Sequence, residues 1–190
     1  MPDNQRDETG PIMTRRSIVL VGLMGAGKSS VGRRLAASIG LPFVDADHEI
    51  EAAAGCAVAD IFELYGERAF RDGERKVIKR LLEGDPVVLA TGGGAFMDTE
   101  TRAEITSKGH SVWLRADLEM LIRRTEGRPH RPLLQKGDSR KTLQRLMDER
   151  YPVYELADVI VDAQSEKPDA TAERVRVTLE EFLAIERNRA

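Results

Sequence analysis

The stretch GLMGAGKS, Gly22 to Ser29, carries the spacing G-x-x-x-x-G-K-[ST]. Glycines at 22, 25 and 27 let the main chain curl, so that N–H groups at a helix N-terminus face the phosphates of a nucleotide. Lys28 then reaches the β- and γ-phosphates, and the Ser29 hydroxyl is a ligand of the kind Mg²⁺ takes. A dinucleotide fingerprint does not fit. The G-x-G that begins at Gly25 meets Ser30 where a third glycine is needed, and the lysine has no place in it.

Two further groupings suit chemistry at that phosphate end. LPFVDAD closes on Asp45 and Asp47. Read as an extended segment, its alternation points both carboxylates the same way, one towards a Mg²⁺ shell and the other towards an acceptor hydroxyl. N-capping of a following helix by either aspartate explains the pair equally well. Further on, PVVLATGGGAF spends Gly92, Gly93 and Gly94 in succession, although glycine loses the most backbone freedom on folding. A second phosphate loop is disfavoured, because no lysine follows Gly94. A place at the carboxyl end of a central strand, where α/β folds bind ligands, favours a bare floor against which an acceptor lies.

The elements needed to position these residues are legible as alternation. SIVLV (17–21), LPFVD (41–45), PVVLA (86–90), HSVWL (110–114) and DVIVD (158–162) read as strands buried on both faces of a parallel sheet. Helical patterns such as GKSSVGRRLAASI, ERAFRDGERKVIKRLLEG and TAERVRVTLEEFLAIE lie between and after them, which predicts a doubly wound α/β fold. TEGRPHRPLLQKGDS (125–139) breaks the rhythm with prolines and glycines. A loop of that length in a compact domain is usually functional, and a lid over about 125–138 is expected, hinged at Gly127 and Gly137.

Bulk properties narrow the class. The 190 residues suffice for one domain with a proper core, expected over 15–187 after a flexible tail at 1–14. A net charge of −3 provides no field for nucleic acid or an anionic membrane, and no apolar run is long enough to span a bilayer. Cys56, the lone cysteine, excludes a disulfide framework and points to a reducing cytoplasm. His48, His110 and His130 make no ligand cluster, and Trp113 is expected in the core. A guanine-nucleotide switch is disfavoured, since the only asparagines, Asn4 and Asn188, lie near the ends of the chain. A motor ATPase would need a larger core. A small-molecule kinase remains.

Together the segments GLMGAGKSSVGRRLA, FVDADHEIE, IFELYGERAFRDGE, LATGGGAF, RPLL and RYPVYELAD resemble the shikimate kinase family, in order and over about residues 17–168. The resemblance implies a three-layer sandwich like that of nucleoside monophosphate kinases, with a five-stranded parallel sheet in order 2-3-1-4-5 and a lid. It implies ATP-dependent phosphorylation of the 3-hydroxyl of shikimate, on the way to chorismate and aromatic amino acids, by a monomer. On the residues of this chain it places Gly25, Ala26, Gly27, Lys28, Ser29 and Ser30 on the ATP phosphates. Arg124 and Pro168 would sandwich the adenine, and Arg131 would come from the lid towards the transferring phosphate. Ser29 and Asp45 would serve Mg²⁺. Asp47 would contact the acceptor hydroxyls as candidate base, in an acceptor region over about 45–75. Arg71, supported by Glu74, and Arg150 would clamp the carboxylate above Gly92, Gly93 and Gly94.

Taken alone, Arg71 and Glu74 at i,i+3 also fit a surface pair, and Arg150 in MDERYP fits a solvated charge beside its acidic neighbours. Arg128 and His130 receive no role. A kinase of the same fold acting on gluconate or a nucleoside monophosphate is the runner-up, and a non-catalytic nucleotide-binding module is the alternative of another class.

Overall fold

The structure, a computed structural model, describes residues 14–126, 138–164 and 166–189. Strands β1 (Ser17–Val21), β2 (Phe43–Asp45), β3 (Val88–Ala90), β4 (Gly109–Arg115) and β5 (Val159–Asp162) form one parallel sheet. Their order is β2-β3-β1-β4-β5, as expected. The central strand β1 pairs with β3 through Ile18–Val88 and Leu20–Ala90, and with β4 through Ser17–Gly109 and Val21–Trp113. Every residue of β1 is buried, which is why IVLV is continuously apolar and why the Ser17 hydroxyl is satisfied by the Val87 N–H at 3.2 Å. Edge strand β5 departs from that expectation: Val159 and Val161 are buried, whereas Ile160 and Asp162 are exposed. One side of an edge strand can face water, so only alternate residues need be apolar.

Helices α1 (Lys28–Ile39), α2 (Ala46–Ala54), α3 (Val58–Glu83), α4 (Thr99–Lys108), α5 (Leu118–Thr125), α6 (Ser139–Tyr154) and α7 (Pro168–Arg189) complete the chain. Helix α1 sits very close to the sheet. A Cβ at Gly32 would stand 2.6 Å from the Phe43 ring and 3.0 Å from Leu20, so glycine here is a packing requirement. Helix α7 covers α1 and β5, and it starts earlier than its periodicity indicates because Pro168 is preorganised for the first helical position. Helix α3 is two limbs joined at Gly66, whose φ of 80° and ψ of 171° break the helical ladder. The second limb is the predicted ERAFRDGERKVIKRLLEG helix and carries Arg71 and Glu74.

One local reading is corrected. Asp45 and Asp47 do not alternate along one strand: β2 ends at Asp45, and Asp47 is in the first turn of α2. The Asp45 side chain caps that helix, accepting the Asp47 N–H at 3.1 Å, so the capping explanation holds for Asp45. Most of the predicted lid, with Gly127, Arg128, His130, Arg131 and Gly137, lies outside the described residues. Among the described residues no helix is long and apolar enough to cross a membrane.

Candidate active site

The phosphate loop links β1 to α1 at the carboxyl edge of the sheet. Gly22, Gly25 and Gly27 have φ of 139°, 84° and 99°, backbone states that L side chains rarely adopt. At Gly22 the requirement is double, because a Cβ would also stand 2.8 Å from the Leu114 carbonyl oxygen of the adjacent strand. Lys28 opens α1, and its Nζ folds back over the loop, donating to the carbonyls of Gly22 at 2.7 Å and Leu23 at 3.0 Å. Arg124 braces the same loop from α5, donating to the Ala26 carbonyl at 3.2 Å, and also reaches the Gln164 carbonyl at 3.2 Å. Pro168 begins α7 shortly beyond Gln164, on the segment Arg124 ties to the loop. Ser30, next to Ser29, is exposed in the first turn of α1.

Beside the loop, Ser29 Oγ donates to Asp45 Oδ2 at 2.7 Å. A hydroxyl and a carboxylate set together at the phosphate end suit Mg²⁺, which binds hard oxygens and keeps several waters. No cluster of three or more metal-ligating side chains occurs among the described residues, so the site offers no all-protein cage.

The glycine run is where the other half converges. None of Gly92, Gly93 and Gly94 has a positive φ, so these glycines are required for space and not for backbone conformation. A Cβ at Gly92 would stand 2.8 Å from Glu74 Oε1 and 3.2 Å from Asp47 Oδ1. At Gly93 it would be 3.1 Å from Arg150 Nη1, and at Gly94 2.6 Å from Arg71 Cζ. Side chains from α2, α3 and α6 thus meet over one bare stretch of main chain. The surface-pair reading of Arg71 fails: its Nη1 donates to Glu74 Oε2 at 2.6 Å, and Glu74 is only 2% exposed. The other oxygen, Oε1, is buried without a hydrogen-bond partner. Arg150 has no carboxylate within ion-pair distance among the described residues, despite its acidic neighbours in sequence.

Electrostatics follow from this crowding. Burial raises the Glu74 pKa above its usual 4.5; the Arg71 charge and hydrogen bond oppose the rise, and the Asp47 charge adds to it. Asp47 is accessible at the mouth of the site but hemmed in by protein. That desolvation, with the nearby Asp45 carboxylate, raises its pKa above 3.8, while Lys28 and Arg71 pull the other way. A carboxylate whose proton affinity is raised, between a phosphate-binding lysine and an arginine, is a group suited to receive a proton from a hydroxyl.

Every predicted acceptor residue is therefore gathered in one place, and the loop residues with Ser29 and Asp45 lie beside it. Arg131 alone among the predicted site residues lies outside the described chain. Sequence reasoning missed Tyr154, whose hydroxyl donates to the Gly93 carbonyl from the end of α6. The signal was present in RYPVY, where Arg150 and Tyr154 share a helix face at i,i+4.

A phosphate loop on the central strand of this parallel sheet, facing a carboxylate and two arginines, defines a phosphate-loop kinase with the fold of nucleoside monophosphate kinases. The family model for shikimate kinase matches residues 24–180. A shikimate kinase of Paramagnetospirillum magneticum is 62% identical over 172 residues, 90% of this chain and 88% of that protein. One from Bradyrhizobium diazoefficiens is 56% identical over 168 residues, covering 88% and 81% of the two. A solved shikimate kinase from Acinetobacter baumannii, in complex with shikimate, superposes with a TM-score of 0.84 at 37% identity, covering 90% of this chain and 94% of that one. The chain belongs to the shikimate kinase family and is an enzyme of the kinase class.

Proposed function

We propose that the chain transfers the γ-phosphoryl group of ATP to the 3-hydroxyl of shikimate, releasing ADP and shikimate 3-phosphate. The observation that carries this reading is the meeting of Asp47, Glu74, Arg71 and Arg150 over the glycine run, beside Lys28. Shikimate is small, hydroxylated and anionic. Planar guanidinium groups suit its carboxylate, and an acidic side chain with bare main chain suits its hydroxyls. Arg71 and Arg150 hold the carboxylate, Glu74 fixes Arg71, and Gly92, Gly93 and Gly94 leave the acceptor room. Asp47 orients the 3-hydroxyl and takes its proton as the new P–O bond forms and the bond to the ADP oxygen breaks.

On the donor side, Gly25, Ala26, Gly27, Ser29 and Ser30 line the ATP phosphates, with Arg124 and Pro168 at the adenine. Lys28 and, by family resemblance, Arg131 spread the charge of a loose transition state. Ser29 and Asp45 would hold Mg²⁺, which supplies further charge neutralisation at the phosphates. Both halves of the site come from one chain, so a monomer suffices, and dependence on ATP suits the cytoplasm. The lid over about 125–138 would exclude water as a competing acceptor.

ADP release by the purified protein, measured in parallel with shikimate, gluconate, AMP and no acceptor, tests the assignment. Stimulation by shikimate alone is expected. Stimulation by gluconate or AMP with none by shikimate would overturn it.

A further inference from the structure

Helix α6 brings Arg150 to the glycine run and ends one turn later at Tyr154. That tyrosine has no exposed surface at all. Its ring is wedged among Trp113, Tyr151 and Phe96, with centroids 5.7, 6.1 and 6.4 Å away. Packing of this kind needs a ring and not a hydroxyl, and a buried hydroxyl must find a partner. This one donates to the Gly93 carbonyl, and Arg150 Nη1 stands 3.1 Å from where a Cβ on that same glycine would be. The flanking carbonyls of Gly92 and Gly94 accept from Ala95 and Met97 in the turn that follows, so the Gly93 peptide is the one tied to α6.

Arg150 is a long side chain with no acidic partner among the described residues. A side chain that flexible loses rotamer freedom on gripping a ligand unless something already holds it. We propose that Tyr154 is a positioning residue for the acceptor: its hydroxyl pins the Gly93 peptide against which Arg150 rests, so that the guanidinium is set before the acceptor arrives. The inference rests on the reading of Arg150 as a carboxylate clamp and extends it to a residue that never touches the acceptor.

Tyr154→Phe keeps the ring and removes only the hydroxyl. Loss of one buried hydrogen bond predicts a KM for shikimate about tenfold higher. The KM for ATP should stay within about twofold, and kcat should fall less than KM rises. With shikimate methyl ester, whose carboxylate is blocked, wild type and variant should differ little. In an Arg150→Ala background, the added Tyr154→Phe should change shikimate KM hardly at all, because residues acting as one unit are not additive. Tyr151→Phe is the control. It lies in the same aromatic group but donates to the Ala116 carbonyl, and should leave shikimate KM unchanged.

An unchanged shikimate KM in Tyr154→Phe overturns the proposal, as does an equal loss with the ester or with ATP, which would mark a purely structural role. If the variant melts near assay temperature, equilibrium binding of shikimate in the cold gives the same ratio and decides the matter. A wild-type enzyme active with another acceptor but not with shikimate overturns the functional reading and this one together. An active wild type with an indifferent Tyr154→Phe overturns this one alone.

Discussion

The donor and acceptor sides of the site are built from different materials. On the donor side, main chain does the holding: Gly22, Gly25 and Gly27 take positive φ, and Lys28 and Arg124 are tied to loop carbonyls. On the acceptor side, side chains do it. Asp47, Glu74, Arg71 and Arg150 crowd over glycines whose backbone is ordinary. A main-chain cradle suits phosphates, which nearly all such proteins share, because N–H groups are independent of side-chain identity. A side-chain ring suits a particular acceptor, because each group can be exchanged without unmaking the loop. Generality and specificity are thereby separated in one cleft.

The largest expected effect breaks this comparison at its chemical junction. Asp47→Asn should lower kcat by about 10²–10⁴, the range of general acid–base contributions, while the KM for ATP stays close to wild type. Rapid-quench measurement of a single turnover separates the chemical step from product release. A variant that keeps nearly full kcat would mean that Asp47 only positions the hydroxyl, and that the acceptor side contributes binding alone.

Two alanine substitutions contrast the halves directly. Gly22→Ala forces a left-handed φ and drives a Cβ against a fixed carbonyl, 2.8 Å away. Backbone strain and overpacking of that sort cost about 2–4 kcal/mol, so thermal stability and ATP binding should fall together. At Gly94 the nearest atoms an added Cβ would meet belong to the guanidinium of Arg71, the far end of a flexible side chain. Arg71 can swing aside without backbone strain but only by leaving buried Glu74, so in Gly94→Ala stability should fall by about 1–2 kcal/mol, less than in Gly22→Ala. The shikimate KM should nonetheless rise about tenfold, as expected when a charged hydrogen-bonding group is displaced. Parallel melting curves and steady-state kinetics read both. A Gly94→Ala protein as unstable as Gly22→Ala would erase the distinction.

The same division explains what was legible in the sequence. The sheet and its order follow from short apolar runs and a family resemblance, and the phosphate loop is a contiguous motif whose glycines declare their geometry. Asp45 and Asp47 were legible as a pair but not in their local structure, because D-x-D fits both a strand end and a helix cap. The hydrogen bond to the Asp47 N–H, a local competition that residue type does not settle, decides in favour of the helix. Arg71 and Arg150 are far apart in the chain, and no spacing rule brings α3 and α6 over Gly93 and Gly94; only the assembled fold does. Tyr154 was passed over because a tyrosine at the end of an amphipathic helix looks like ordinary core. Its hydroxyl, not its ring, distinguishes it.

The smallest effect concerns the electrostatic cost that the acceptor side carries when empty. Burial raises the pKa of Glu74 although Arg71 opposes the shift, so the folded protein holds that proton more tightly than the unfolded chain, where the pKa is 4.5. The contribution of Glu74 to stability is therefore fully present below 4.5 and is lost as pH rises through the raised folded value. Glu74→Gln has no such titration but still offers Arg71 a neutral acceptor. Denaturant melts of both proteins from about pH 4 to pH 7 should show wild type losing ground to the variant as pH rises, with a flat difference once Glu74 is ionised in both states. The opposite slope would mean that the Arg71 charge outweighs burial. The acceptor ring would then be an electrostatic asset in the empty enzyme, and the contrast with the main-chain cradle would lie in geometry alone.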